Sequence, residues 1–113
     1  MVKKKQNIVT VESRKAYAES MIENLEGLIP REKDKLAEKQ AQLRKLKEQL
    51  KIFKNAPPEE FTKEARDENI TWTEKGIEEK ALWIDKQKAY IIQLRQRLTQ
   101  EKNTLEILER EVQ

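Results

Sequence analysis

The sequence contains three pairs of adjacent acidic residues. By type and spacing, these are its best candidates for a catalytic or metal-binding site. The pairs are Glu59 with Glu60, Glu78 with Glu79, and Asp67 with Glu68. Two neighbouring carboxylates can divide acid and base roles when burial separates their pKa values, and carboxylate oxygens bind hard cations. Nothing around these pairs indicates a concave pocket, so the sequence favours interpreting them as solvated helix surface.

The residue types that most enzymes use are missing from this chain. It has no cysteine and no histidine, which excludes disulfides, thiolate nucleophiles, imidazole bases and the common zinc ligand sets. The two glycines, Gly27 and Gly76, stand alone, so there is no glycine-rich phosphate loop. We therefore predict a protein that is not an enzyme and that uses no cofactor, no metal and no small-molecule substrate.

Basic residues are the one feature that suggests a ligand, because clustered positive charge binds nucleic acids. The candidate phosphate contacts are Lys3, Lys4, Lys5, Arg14 and Lys15, and a second patch comprises Arg44, Lys45, Lys47, Lys51 and Lys54. The pI is near 9.1, but the net charge is only +3. Nucleic-acid binding is therefore the alternative hypothesis. The favoured hypothesis is that these lysines simply lie on solvated helix surfaces.

Two heptad repeats predict the elements that must position all of these residues. In the second half, one core position holds Ile70, Ile77, Ile84, Ile91, Leu98, Leu105 and Val112. In the first half, one core position holds Ile8, Lys15, Ile22, Ile29, Leu36, Leu43 and Leu50, and its companion holds Val11, Ala18, Leu25, Glu32, Lys39, Leu46 and Phe53. A repeat of seven aligns one seam along a helix that supercoils against another helix. The pattern predicts an all-α coiled coil.

The proline pair Pro57 and Pro58 predicts the turn between two long helices, because proline disfavours helix in the preceding residue and suits a first helical turn. We expect a basic tail over 1–7 and a single helical-hairpin domain over 8–113. Its parts would be a helix over about 8–54, a turn over 55–58 and a helix over about 59–112. Pro30 leaves open whether the first helix is kinked at that residue. The capping-box spacing of Thr71 and Glu74 leaves open whether the second helix is interrupted near 70–73.

Charge predicts that the two helices run antiparallel. Residues 39–54 carry six basic residues and one acid, whereas residues 59–74 carry six acids and two basic residues. A fold-back near Pro57 places these blocks side by side, and flanking charges select orientation in coiled coils. Residue n would then face roughly residue 113 minus n, so that Leu43 lies near Ile70 within one core layer. A domain-swapped antiparallel dimer is the related alternative.

More apolar surface is present than one seam can bury, and this predicts a second interface. We expect it to be formed by Tyr17, Leu28, Leu82, Trp83, Tyr90 and Ile92. Such surface either self-associates, as a four-helix homodimer or larger bundle, or docks a different protein. The favoured function is therefore a coiled-coil scaffold or adaptor that binds itself and another protein. We expect no membrane span and a cytoplasmic location.

The general plan of two antiparallel helices joined near Asn55 to Glu60 is similar to that of prefoldin-like chaperone subunits, of hairpin stalk proteins of secretion ATPases and of small plasmid-encoded helical bundles. The resemblance implies a further alternative, a chaperone or stalk function. A prefoldin subunit carries strands between its helices, and here only Ile70 to Thr73 have strand character. Fold-level likeness does not by itself carry function.

Overall fold

The structure is a computed structural model that describes residues 10–57, 59 and 61–112, apart from the side chain of Val112. It contains two long α-helices, α1 (Val11–Asn55) and α2 (Lys63–Val112). The predicted all-α helical hairpin is confirmed, and none of the described residues forms a strand. The expected basic tail over 1–7 and the first seam residue, Ile8, lie outside the described residues.

Each helix begins at a threonine cap. The backbone N–H of Ser13 donates to Thr10 Oγ1 at 3.0 Å, and the N–H of Ala65 donates to Thr62 Oγ1 at 3.1 Å. These hydrogen bonds satisfy donors that the first helical turn leaves unpaired. The cap at Thr62 is the reason that α2 begins at Lys63 and not near residue 59, as the proline and acidic residues had suggested.

Neither suspected break divides a helix. Pro30 lies inside α1, and α2 continues through residues 70–73. Thr71 Oγ1 donates to the carbonyl oxygen of Asp67 at 2.9 Å, and Thr73 Oγ1 donates to that of Asn69 at 2.7 Å. Because both hydroxyls bond to the preceding helical turn, the β-branched run stays helical and Thr71 does not cap a new helix. The interruption near 70–73, which the sequence left open, is absent from α2.

The helices contribute to two compact units. The terminal unit holds the described residues up to Arg31 and those from Ile91 onward, and the loop unit runs from Glu32 to Tyr90. In the terminal unit, Leu25, Ile29 and Leu94 form a buried cluster. The partly buried side chains of Leu28 and Leu98 pack against that cluster. Apolar contact between α1 and α2 thus forms the core of the terminal unit.

Polar contacts join the helices in the loop unit. Gln87 Nε2 donates to the backbone oxygen of Glu32 at 3.1 Å and to Glu32 Oε2 at 2.6 Å. Lys80 Nζ donates to Gln42 Oε1 at 2.8 Å. Glu32 and Gln87 are both buried, so these hydrogen bonds compensate for the loss of water around polar groups within the helix interface.

The connector over residues 56–62 is held at both of its ends. The rings of Phe53 and Phe61 meet edge to face with centroids 5.8 Å apart. Arg66 Nη2 donates to the backbone oxygen of Ala56 at 2.6 Å, and Ala56 itself is buried. An aromatic pair thus joins α1 to Phe61, and a charge-assisted hydrogen bond joins α2 to Ala56.

The helix register differs from the one predicted from charge. That register placed Glu32 opposite residue 81 and Gln42 opposite residue 71, whereas their partners are Gln87 and Lys80. The shift of six to nine residues corresponds to about one heptad. About five residues of it follow from the connector, because its centre lies at residue 59 and not between residues 56 and 57, as the predicted register required. Each residue by which a turn moves along the chain shifts the pairing by two.

The predicted seams are confirmed by burial. Every described residue at the two core positions of α1 is buried or half-buried, and so is every described side chain at the core position from Ile70 to Leu105 in α2. A companion position in α2, three residues after each residue of that seam, was missed. It holds Thr73, Lys80, Gln87, Leu94, Glu101 and Leu108, all buried or half-buried. Because four of these six residues are polar, the apolar pattern of the sequence did not indicate this core position.

Candidate interaction surface

Large apolar side chains lie exposed on the outer faces of both helices. They are Tyr17, Ile52, Trp72, Leu82, Tyr90, Ile92 and Ile107, each at least 40% exposed. Single exposed apolar residues are common, but in a chain in which 40% of the residues are charged, a series of them makes each unit, taken by itself, a candidate for contact with another molecule.

The terminal unit contains three of the six predicted interface residues. Tyr17 and Ile92 are exposed, at 59% and 54%. Leu28 is half-buried, because it packs against the cluster of Leu25, Ile29 and Leu94. Its contacts therefore belong largely to the packing of α1 on α2.

The loop unit contains the other three. Leu82 and Tyr90 are exposed, whereas Trp83 is half-buried. Lys39 Nζ lies 5.5 Å from the centroid of a Trp83 ring, within the range of a cation–π contact. A shallow groove is lined by these two residues with Gly76, Glu79 and Lys80. Trp83 thus contacts Lys39 of α1 and is less available to a partner than Leu82 or Tyr90.

Three exposed apolar residues were not among the predicted interface residues: Ile52, Trp72 and Ile107. Trp72 is 64% exposed, and Lys75 Nζ lies 5.6 Å from the centroid of its ring. The signal that identifies such residues is their position on the heptad. Ile107, for example, lies two residues after the seam residue Leu105 and hence on the far side of α2.

The structure describes only two of the five predicted phosphate-contacting residues. Lys3, Lys4 and Lys5 lie outside the described residues. Arg14 is exposed, whereas Lys15 is half-buried at its core position. The second basic patch is exposed throughout, at Arg44, Lys45, Lys47, Lys51 and Lys54.

Ion pairs found in the described part of the chain join residues of the same helix. They are Lys35 with Glu32, Arg97 with Glu101, and Arg110 with Glu106, separated by three or four positions. The hydrogen bond from Arg97 Nε to Glu101 Oε1, at 2.9 Å, raises the pKa of the guanidinium. Among the residues that the structure describes, direct salt bridges therefore do not join the two oppositely charged blocks, and the attraction between those blocks acts over longer distances.

The acidic pairs lie on the surface. Glu78, Glu79, Asp67, Glu68 and Glu59 are exposed, and Glu60 lies outside the described residues. No group of three or more acidic side chains within the described ranges is arranged to hold a metal ion. The described helices also contain no stretch that is both long and apolar enough to cross a bilayer.

Comparison with known proteins identified no relative of this chain. No protein-family model, no curated protein sequence and no solved structure matches the chain.

Proposed function

We propose that this protein is a non-enzymatic scaffold or adaptor that acts through helix–helix contact, binding a second copy of itself and another protein. The observation that carries the proposal is the series of exposed apolar side chains on the outer faces, above all Tyr17, Leu82 and Ile92. Two helices bury only their facing seams, so a further helix is needed to remove these side chains from water.

The mass of the protein in solution tests this proposal. We expect light scattering to give a mass that rises with concentration above the 13.5 kDa of one chain. Replacing Tyr17, Leu82 and Ile92 together by glutamine should lower the mass while the helical circular dichroism persists, because all three side chains are exposed. Trp83 is not used, since its half-burial would confound a loss of association with a loss of folding.

A matched control carries three glutamine substitutions at exposed polar positions, Ser20, Lys86 and Lys88. Its mass should equal that of the unchanged protein. A protein that stays at the mass of one chain at all concentrations would overturn the self-association. An unchanged mass for the variant at Tyr17, Leu82 and Ile92 would remove these side chains from the proposal.

Nucleic-acid binding is the second candidate, favoured by the exposed patch from Arg44 to Lys54. Binding through phosphates alone would weaken steeply with salt and would not depend on base sequence. Fluorescence anisotropy with a labelled duplex at rising salt measures both properties. Replacing Lys47 and Lys51 by glutamine should weaken such binding, and replacing Lys86 and Lys88 serves as the control.

The chaperone or stalk alternative has less support, because Ile70 to Thr73, the residues with strand character, are helical. A cytoplasmic location remains a prediction that rests on the composition of the chain.

A further inference from the structure

The outer face of α2 in the terminal unit carries a stripe without charge. We call it the outer stripe, and its members are Ile92, Gln96, Thr99, Gln100, Asn103 and Ile107, all exposed. At 3.6 residues per turn they lie within an arc of about 100°. The buried Ile91, Leu94 and Leu108 lie on the opposite side of the helix. Since 40% of the chain is charged, an uncharged stripe over this length of helix is unusual for a face that only meets water.

The spacing of the outer stripe is the same in both directions, although its inner residues are not identical when the order is reversed. Its successive members are four, three, one, three and four positions apart, and isoleucine stands at both ends with an amide side chain next to each. The terminal members Ile92 and Ile107 are also equally exposed, at 54% and 55%. A surface that pairs with itself about a twofold axis must be self-complementary, so that residue i meets residue j and residue j meets residue i. The spacing of the outer stripe, its terminal isoleucines and the amides next to them satisfy that condition for an antiparallel pair of helices, in which Thr99 meets Gln100 of the partner copy.

We propose that a second copy of this chain docks on the outer stripe, with the two α2 helices antiparallel and a twofold axis between Thr99 and Gln100. Ile92 then packs against Ile107 of the partner copy, and Gln96 meets its Asn103. The inference rests on the proposed function, because it identifies one surface through which self-association occurs.

The chemistry of the outer stripe fits a second copy better than a charged partner. Amide side chains carry both donors and acceptors, so Gln96 and Asn103 can bond across the pair whichever copy supplies them. No charge is buried, which avoids the desolvation that an unpaired lysine or glutamate would suffer. Thr99 Oγ1 donates to the carbonyl oxygen of Arg95 at 3.1 Å, so its donor is already used within the helix.

The length of the outer stripe sets the strength of association that we expect. From Ile92 to Ile107 the helix rises about 22 Å at 1.5 Å per residue. A contact of two helices over that length is smaller than a standard protein interface of roughly 1,600 Å², so it forms a weak, reversible dimer. Dimerisation should therefore depend on protein concentration.

Cysteine cross-linking tests the register directly, because the natural chain contains no cysteine. One chain carries Gln96→Cys, and a second chain of different size, extended by a tag, carries Asn103→Cys. The twofold pairing brings these two positions together, and a disulfide requires Cα atoms within roughly 7 Å. Mild oxidation of the mixture should give chiefly the mixed dimer.

Two other outcomes would overturn the outer stripe as the interface. A parallel, in-register pair would link Gln96→Cys chiefly to itself. An interface elsewhere would give no more product than Gln93→Cys, an exposed position outside the outer stripe on the same helix. Substitution at these exposed positions leaves the buried seam unchanged, and circular dichroism verifies the folding of each variant.

Equilibrium sedimentation separates failure of this inference from failure of the proposed function. Ile92→Gln and Ile107→Gln should each raise the dimer Kd about tenfold or more, whereas Ala37→Gln, at an exposed apolar position of α1 outside the candidate surface, should not. If the natural protein dimerises and neither substitution changes its Kd, the outer stripe is not the interface, but the proposed self-association stands. A protein that is monomeric throughout would overturn both.

Discussion

Gln87 and Glu32 form a buried hydrogen-bonded pair between the two helices of the loop unit. The Gln87 amide donates to both the side chain and the backbone oxygen of Glu32, at 2.6 Å and 3.1 Å. Each residue occupies a heptad core position where an apolar side chain would pack. One buried polar pair in a coiled-coil core favours a single register, since any shift separates the donor from its acceptor.

Replacing Gln87 by leucine should destabilise the fold by about 1 to 3 kcal/mol, because a buried carboxylate loses a donor. Replacing both Gln87 and Glu32 by leucine should recover most of that loss, since the layer becomes apolar. Urea denaturation of the single and double variants measures both free energies of unfolding. Gln93→Leu, at an exposed glutamine of α2, should change stability by less than about 0.5 kcal/mol. A double variant that is less stable than either single variant would contradict the polar-pair interpretation.

Arg66 should stabilise the connector through its hydrogen bond to the Ala56 oxygen. Arg66→Met keeps the alkyl chain but removes the charged donor, so we expect a loss of about 1 to 2 kcal/mol and faster hydrogen exchange at connector amides. Lys63→Met, at an exposed residue in the same turn of α2, is the control. Equal exchange rates in the two variants would show that the hydrogen bond does not order the connector.

Lys80 should make stability depend on pH in the alkaline range. The neighbouring Lys39 side chain, together with partial burial, lowers the pKa of Lys80 below 10.5. Between the lowered pKa and 10.5 the unfolded chain binds more protons than the folded one, so stability rises as pH increases through that window. Thermal unfolding of the natural protein should show this rise.

The variant Lys80→Met removes the group and should flatten the slope of stability against pH in that window, whereas Lys86→Met, at an exposed lysine of α2, should preserve it. Identical slopes for all three proteins would exclude a lowered pKa at Lys80. An NMR titration of the lysine side chains measures the same pKa directly.

Gly27→Ala should stabilise the protein by about 0.5 to 1 kcal/mol, because glycine inside a helix loses more backbone entropy on folding than alanine. A Cβ atom built at Gly27 has no non-local atom within 4 Å, so the substitution causes no clash. Ala37→Gly, at an exposed position of α1, should lower stability by a similar amount. A fall in the urea midpoint of Gly27→Ala would show that the flexibility of this site is needed in the folded chain.

The sequence predicted the buried faces better than the partners across them. Ile84 and Ile91 belong to a repeat of seven and are buried, as expected, because periodicity alone determines which side of a helix is apolar. Trp83 and Leu28 lie next to seam residues, and their half-burial depends on how closely α1 approaches α2. That distance is not encoded in the spacing of either helix.

Sequence by itself therefore determined two helices, both core positions of α1, one core position of α2 and the fold-back, since a heptad repeat buries its apolar residues only when paired with another helix. Tertiary structure alone decided the register, the start of α2 at Lys63 and the pairing of Gln87 with Glu32. The physical reason is that all layers of a repeat are nearly equivalent. The cap at Thr62, the connector contacts and one buried polar layer together select among them.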